Sequence, residues 1–112
     1  MIASLEGIVT EKDEESLVVS LGGIGLKVFV TRETAKKSEL HKSIGLYTNL
    51  VVREESLTLY GFETKEEKEM FSLLLSVTGI GPRTALASIS TTALDVIRRA
   101  VINEQPELLS HI

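Results

Sequence analysis

A five-stranded β-barrel followed by a helical segment is the fold class that the sequence predicts. Three observations carry it. Apolar and polar residues alternate through residue 62, the repeat then lengthens to helical spacing, and Gly79-Ile80-Gly81-Pro82 interrupts the helical stretch. Alternation places one set of side chains on the buried face of a sheet, whereas recurrence at i, i+4 and i+7 makes a stripe on a helix.

The strands follow in order. Ala3, Leu5 and Val9 alternate with Ser4, Glu6 and Thr10, and Asp13-Glu14-Glu15 reads as a solvated turn. Leu17, Val19 and Leu21 alternate with Ser16 and Ser20, and Leu26, Val28 and Val30 mark the third run. Gly22-Gly23 between these two runs supplies the positive φ angles of a tight hairpin. Residues 33–40 read as one or two helical turns. Leu46, Thr48, Leu50 and Val52 form a fourth strand, and Leu57, Leu59 and Gly61 a fifth. Five strands with a short helix between the third and fourth point to a closed barrel of the oligonucleotide/oligosaccharide-binding (OB) type, an order that other barrels also permit.

After Phe62 the period changes. Thr64 is the expected N-cap, with Glu66 and Glu67 in the first turn complementing the helix dipole. Met70, Phe71, Leu74 and Val77 form one helical stripe. Pro82 suits the first position of the next helix, which carries Ala85, Leu86 and Ile89. Thr91 or Thr92 caps a third helix with Leu94, Ile97 and Val101 inward, and Pro106 opens a last short one. The boundary is expected at 62–64, giving a barrel of residues 1–62 and a helical domain of residues 63–112.

The composition excludes several classes. Of 112 residues, 43% are apolar, too many for a disordered chain. Without cysteine there is no disulfide scaffold, thiolate metal site or cysteine nucleophile. No apolar run approaches the ~18–20 residues of a membrane span. Met1 to Gly7 lacks the regions of a signal peptide, so a cytoplasmic location is expected. No phosphate loop with lysine and no nucleophile signature is present, and His41 and His111 stand alone. Neither catalysis nor a cofactor or metal is expected. The net charge of −4 argues, as an average, against nucleic acid.

One motif carries chemistry nonetheless. Val77-Thr78-Gly79-Ile80-Gly81-Pro82-Arg83-Thr84-Ala85-Leu86-Ala87 has the pattern of a helix-hairpin-helix element. Gly79 and Gly81 permit a tight reversal and a close backbone approach, with Ile80 pointing back as an apolar plug. The following helix start suits a phosphate, through the amides of Gly81, Arg83 and Thr84, the Arg83 guanidinium and the Thr84 hydroxyl. Such contacts bind DNA backbone and carry no sequence information. The plainer reading is an ordinary helix end followed by a proline start.

A second feature is the acidic tip Glu54-Glu55 between the fourth and fifth strands. Adjacent carboxylates in a turn are usually just solvated, and no third ligand at useful spacing makes a metal site. They also suit exclusion of phosphates from one point of a surface. Arg98-Arg99 could meet phosphate or remain a solvated pair. Residues 1–62 hold seven Lys/Arg against nine Asp/Glu, a poor basis for a basic single-strand groove. Tyr47, Tyr60, Phe29, Phe62 and Phe71 fit packing as well as base stacking.

These residues together resemble the RuvA family of bacterial Holliday-junction-binding proteins. The likeness runs along the whole chain: Met1-Ile2 with Leu5 and Gly7, Gly22-Gly23-Ile24-Gly25 leading into Val28, Val51-Val52-Arg53-Glu54-Glu55 with Leu59-Tyr60-Gly61-Phe62, and Thr78-Gly79-Ile80-Gly81-Pro82 through Ala85-Leu86-Ala87. The resemblance implies an OB barrel followed by a helix-hairpin-helix domain, assembled as a homotetramer that holds four-way junction DNA open and nearly square. It implies that Glu54 and Glu55 match the family's acidic pin, where Glu-Asp is common. It also implies a partnership with a separate motor, the RuvB-type hexameric ATPase. In the family, the region similar to Leu108-Leu109-Ser110-His111-Ile112 runs into a second glycine hairpin, a linker and a motor-binding domain, so the chain reads as an N-terminal fragment.

Two other classes stay in view. A base-excision glycosylase also uses a glycine hairpin but needs a catalytic carboxylate, and Asp95 alone lies between the hairpin and Glu104. A tetramerisation fragment with little DNA affinity of its own is the other.

Overall fold

The computed structural model describes residues 1–89. The expectations for Thr91, Thr92, Leu94, Asp95, Ile97, Arg98, Arg99, Val101, Pro106 and His111 lie outside the described residues. The first compact unit spans Met1–Lys68 and a second begins at Glu69, inside a helix.

Alternation in the first half folds into strands β1 (Ser4–Lys12), β2 (Ser16–Leu21) and β3 (Ile24–Phe29), helix α1 (Arg32–Lys37), and strands β4 (Ser43–Arg53) and β5 (Ser56–Phe62). They close in the order β1-β2-β3-β5-β4. This five-stranded barrel with a helix between its third and fourth strands is an OB fold. All ladders are antiparallel except the closing one, where β3 meets β5 in parallel at Val28–Leu59 and Phe29–Tyr60.

Inward residues of every strand build one core: Leu5, Val9, Leu17, Val19, Val28, Leu46 and Leu59, joined by Val30 just after β3 and Ala35 of α1. Gly61 is required by packing. A Cβ there would lie 2.6 Å from Val28 Cγ1 and 3.0 Å from Leu46 Cδ1. The Gly22-Gly23 turn forms as expected, with φ of +61° and +102°, between the paired residues Leu21 and Ile24. β1 bulges between Val9 and Glu11, which bends the strand as the barrel curves.

Helix α1 occupies part of the ambiguous stretch 33–40. Thr31 caps it, its hydroxyl accepting from the Thr34 amide, and Thr34 and Ala35 are buried. The connection to β4 turns at His41, φ +66°, whose amide donates to the Val9 carbonyl. Asp13-Glu14-Glu15 is a turn as read, although Glu15 is half-buried and pairs with Arg32 at 3.2 Å.

Helix α2 (Lys65–Leu75) begins with a reciprocal capping box: the Glu67 amide donates to Thr64 Oγ1, and the Thr64 amide donates to Glu67 Oε1. It buries Met70, Phe71, Leu73 and Leu74. The expected stripe extended to Val77, but the helix ends two residues earlier and Val77 lies half-buried in the following turn. Helix α3 (Pro82–Ser88) starts on Pro82 as expected and buries Ala85 and Leu86, with Ile89 buried just beyond.

Candidate nucleic-acid interface

The acidic tip is set by the register of β4 and β5. Seven cross-strand pairs run from Tyr47–Phe62 to Arg53–Ser56, leaving Glu54 and Glu55 as a two-residue loop. Both are exposed. Two-residue hairpin loops usually adopt turns with positive φ, yet His41 is the only non-glycine residue with positive φ among those described. The tip therefore turns without glycine, and both loop positions carry a carboxylate.

The hairpin outruns the barrel that supports it. β1 pairs with β4 only across residues 43–47, and β3 meets β5 only at Leu59 and Tyr60. The last pairs, Val51–Thr58, Val52–Leu57 and Arg53–Ser56, are held by each other. Val52 and Leu57 belong to the strand rows that the alternation picks out, but they are 63% and 71% exposed because no barrel wall reaches them. At this point two carboxylates extend from the fold on a short β-ribbon. No group of three or more His, Cys, Asp or Glu residues suited to a metal ion occurs among the described residues.

The glycine hairpin joins α2 to α3. Gly79 turns with φ +89°, a conformation that L side chains rarely adopt. The Ile80 amide donates to the Val77 carbonyl at 3.2 Å, closing the turn, and Ile80 is half-buried. Gly81 differs from the expectation. It caps α3 in an extended conformation, φ −89° and ψ 170°, open to any residue, and a Cβ there would meet nothing within 4 Å. Only the first glycine is demanded by the backbone of the reversal. The Ala85 amide donates to the Gly81 carbonyl at 2.9 Å, so the amides of Arg83 and Thr84 lie ahead of the first intrahelical bond. Both side chains are exposed.

The aromatic residues divide. Tyr60, Phe62 and Phe71 are buried, and Phe29 is half-buried with its ring 5.9 Å from that of Tyr60 at the parallel seam. Tyr47 is the exposed one, at 42%. A stacking platform for a single strand needs several exposed rings. The described face does not provide them.

Barrel, tip and hairpin define the class: an OB-fold protein carrying a helix-hairpin-helix element. Residues 1–61 match the RuvA N terminal domain family. The chain is 44% identical over 102 residues to the Holliday junction branch migration complex subunit RuvA of Roseiflexus sp. (strain RS-1), covering 90% of this chain and 52% of that protein. The proteins of the same name from Micrococcus luteus and Streptomyces coelicolor are 38% and 39% identical over 112 residues, covering all of this chain and 52% and 56% of theirs. The chain belongs to the RuvA family. It spans about half the length of the curated relatives it matches.

Proposed function

We propose that the chain binds four-way (Holliday) DNA junctions and holds them open for branch migration in recombination and repair. The observation that supports this reading best is the exposed Glu54-Glu55 tip on a hairpin that outruns its barrel, in a chain whose relatives are named as Holliday junction branch migration complex subunits.

Attraction and repulsion fall to different residues. At the first hairpin, Gly79 and Ile80 shape the turn, while the backbone of Gly81 and the amides and side chains of Arg83 and Thr84 meet phosphates. These contacts supply affinity that weakens with salt, because each neutralised phosphate releases counterions. Glu54 and Glu55 act as the pin. Their carboxylates keep phosphates off the crossover, which disfavours stacked duplex arms and favours an open junction. The protein is a DNA-binding subunit without catalysis of its own. Its barrel module comprises residues 1–62 and its helix-hairpin-helix module residues 63–112. It works in the cytoplasm as a homotetramer, with a separate RuvB-type hexameric ATPase as the motor. Four copies add effective concentration, so assembly and binding stand together.

Light scattering run beside a junction titration at two salt concentrations tests this reading. A tetramer that prefers the junction to linear duplex, with affinity falling as salt rises, is the expected result. A tetramer without measurable junction affinity would reduce the role to assembly, and a monomer that binds nothing would refute the proposal.

A further inference from the structure

The core-facing row of the β4–β5 hairpin does not stop where the barrel stops. Leu59 is a core residue and its partner Leu50 packs against that core. Side chains return to the same face every second residue. Val52 and Leu57 are therefore the next pair on that face, directly opposite each other and one step from the Arg53–Ser56 pair that closes the loop. No third strand flanks them among the described residues, and they emerge into solvent as an apolar shoulder behind Glu54 and Glu55.

We infer that Val52 and Leu57 form an apolar wedge that takes the faces of unstacked bases at the centre of the junction. This inference rests on the proposed placement of the pin at the crossover. Two carboxylates stand between the shoulder and any ligand that approaches the tip, so a phosphate is turned away and an uncharged, flat surface is not. Nucleobases freed from stacking present such a surface, and aliphatic side chains serve as wedges between base steps in other DNA-binding proteins. A second copy of the chain fits less well. A contact between copies centred on this pair would bring the Glu54-Glu55 carboxylates of both copies together, and like charges meeting across an interface oppose it.

The test compares the unaltered chain with V52T/L57T and with L57F. The probe is a four-way junction carrying 2-aminopurine beside the crossover, and a linear duplex is the control. Both positions are exposed, so the barrel should keep its thermal midpoint. V52T/L57T is expected to weaken junction binding about three- to tenfold and to shrink the fluorescence change at the probe. Duplex affinity and the salt slope should not move, because no charge is altered. L57F, with a larger apolar face, is expected to bind at least as tightly as the unaltered chain. An unchanged affinity and probe response in V52T/L57T would overturn the wedge while leaving the proposed function standing. So would an equal loss on linear duplex, or a fall in molecular mass, which would assign the pair to contact between copies. Failure of the unaltered chain to bind any junction would remove the proposed function and the wedge with it.

Discussion

The Thr34 hydroxyl donates to the Glu63 carboxylate at 2.8 Å, joining helix α1 to the residue that follows β5. Thr34 is 2% exposed and its oxygen also accepts from the Thr31 hydroxyl at 3.1 Å. Lys37 reaches the same Glu63 oxygen at 3.1 Å. Helix α1, which contributes Ala35 to the barrel core, is thus fastened to the residue after the closing strand β5. A double-mutant cycle with T34V and E63A, each of which removes one partner of the bond, should give a coupling of about 1 kcal/mol in chemical denaturation. Simply additive single effects would show that the bond does not fasten α1 to the end of β5.

Gly61 sets a second test. G61A places a methyl against Val28 and Leu46 in a close-packed interior, and should destabilise the barrel by about 1–3 kcal/mol. V28A should relieve part of that cost in the double variant. Additivity of the two losses would mean that the crowding lies elsewhere.

The two glycines of the hairpin should behave differently. G79A forces a left-handed φ on alanine and should cost about 1–2 kcal/mol of stability. G81A has room and an ordinary φ, so its stability should be unchanged. A loss of junction affinity in G81A would then report a DNA backbone approaching the hairpin too closely for a Cβ. Unchanged affinity in a gel shift would show that no DNA backbone comes close enough to Gly81 to meet a Cβ, leaving its amide as the only contact it could make.

Arg83 should act through charge. R83E should weaken junction binding and lower the salt slope, by about one unit if a single phosphate contact is lost. An unchanged slope would place Arg83 away from the phosphates.

Neutralising the tip should change selectivity more than affinity. E54Q/E55Q keeps the size of both side chains and removes the repulsion. Linear duplex should bind more tightly relative to the four-way junction at matched salt, as measured by competition. Equal selectivity in the variant and the unaltered chain would count against the pin.

Local patterns reached much of this fold and less of its geometry. The five strands were legible because alternation is a property of neighbouring residues, and Gly22-Gly23 because positive φ selects glycine. Thr64 was legible as a cap. Its reciprocal bond with Glu67 follows the same short spacing, although composition alone points Glu67 only to the helix dipole. The Val28–Leu59 and Phe29–Tyr60 closure was not legible, since parallel pairing across thirty residues leaves no local period. The Thr34–Glu63 bond was hidden for the same reason. At the site, Glu54 and Glu55 could be placed on a tip from their position between two strands. The exposure of Val52 and Leu57 could not, because it depends on how far along β4 and β5 the pairing with β1 and β3 runs. Gly81 showed the opposite error: a glycine read as a conformational need occupies an ordinary backbone.

The unflanked pairs between the barrel wall and Glu54-Glu55 have a consequence for how pin length can evolve or be engineered. Each residue pair added to the ribbon carries the carboxylates outward by about 3.4 Å. Adding one pair also rotates every side chain beyond it to the opposite face, whereas adding two restores the original facing. The reach of the charges is therefore adjustable in coarse, countable steps. Between the barrel wall and the apolar shoulder, only even steps keep that shoulder on its present side.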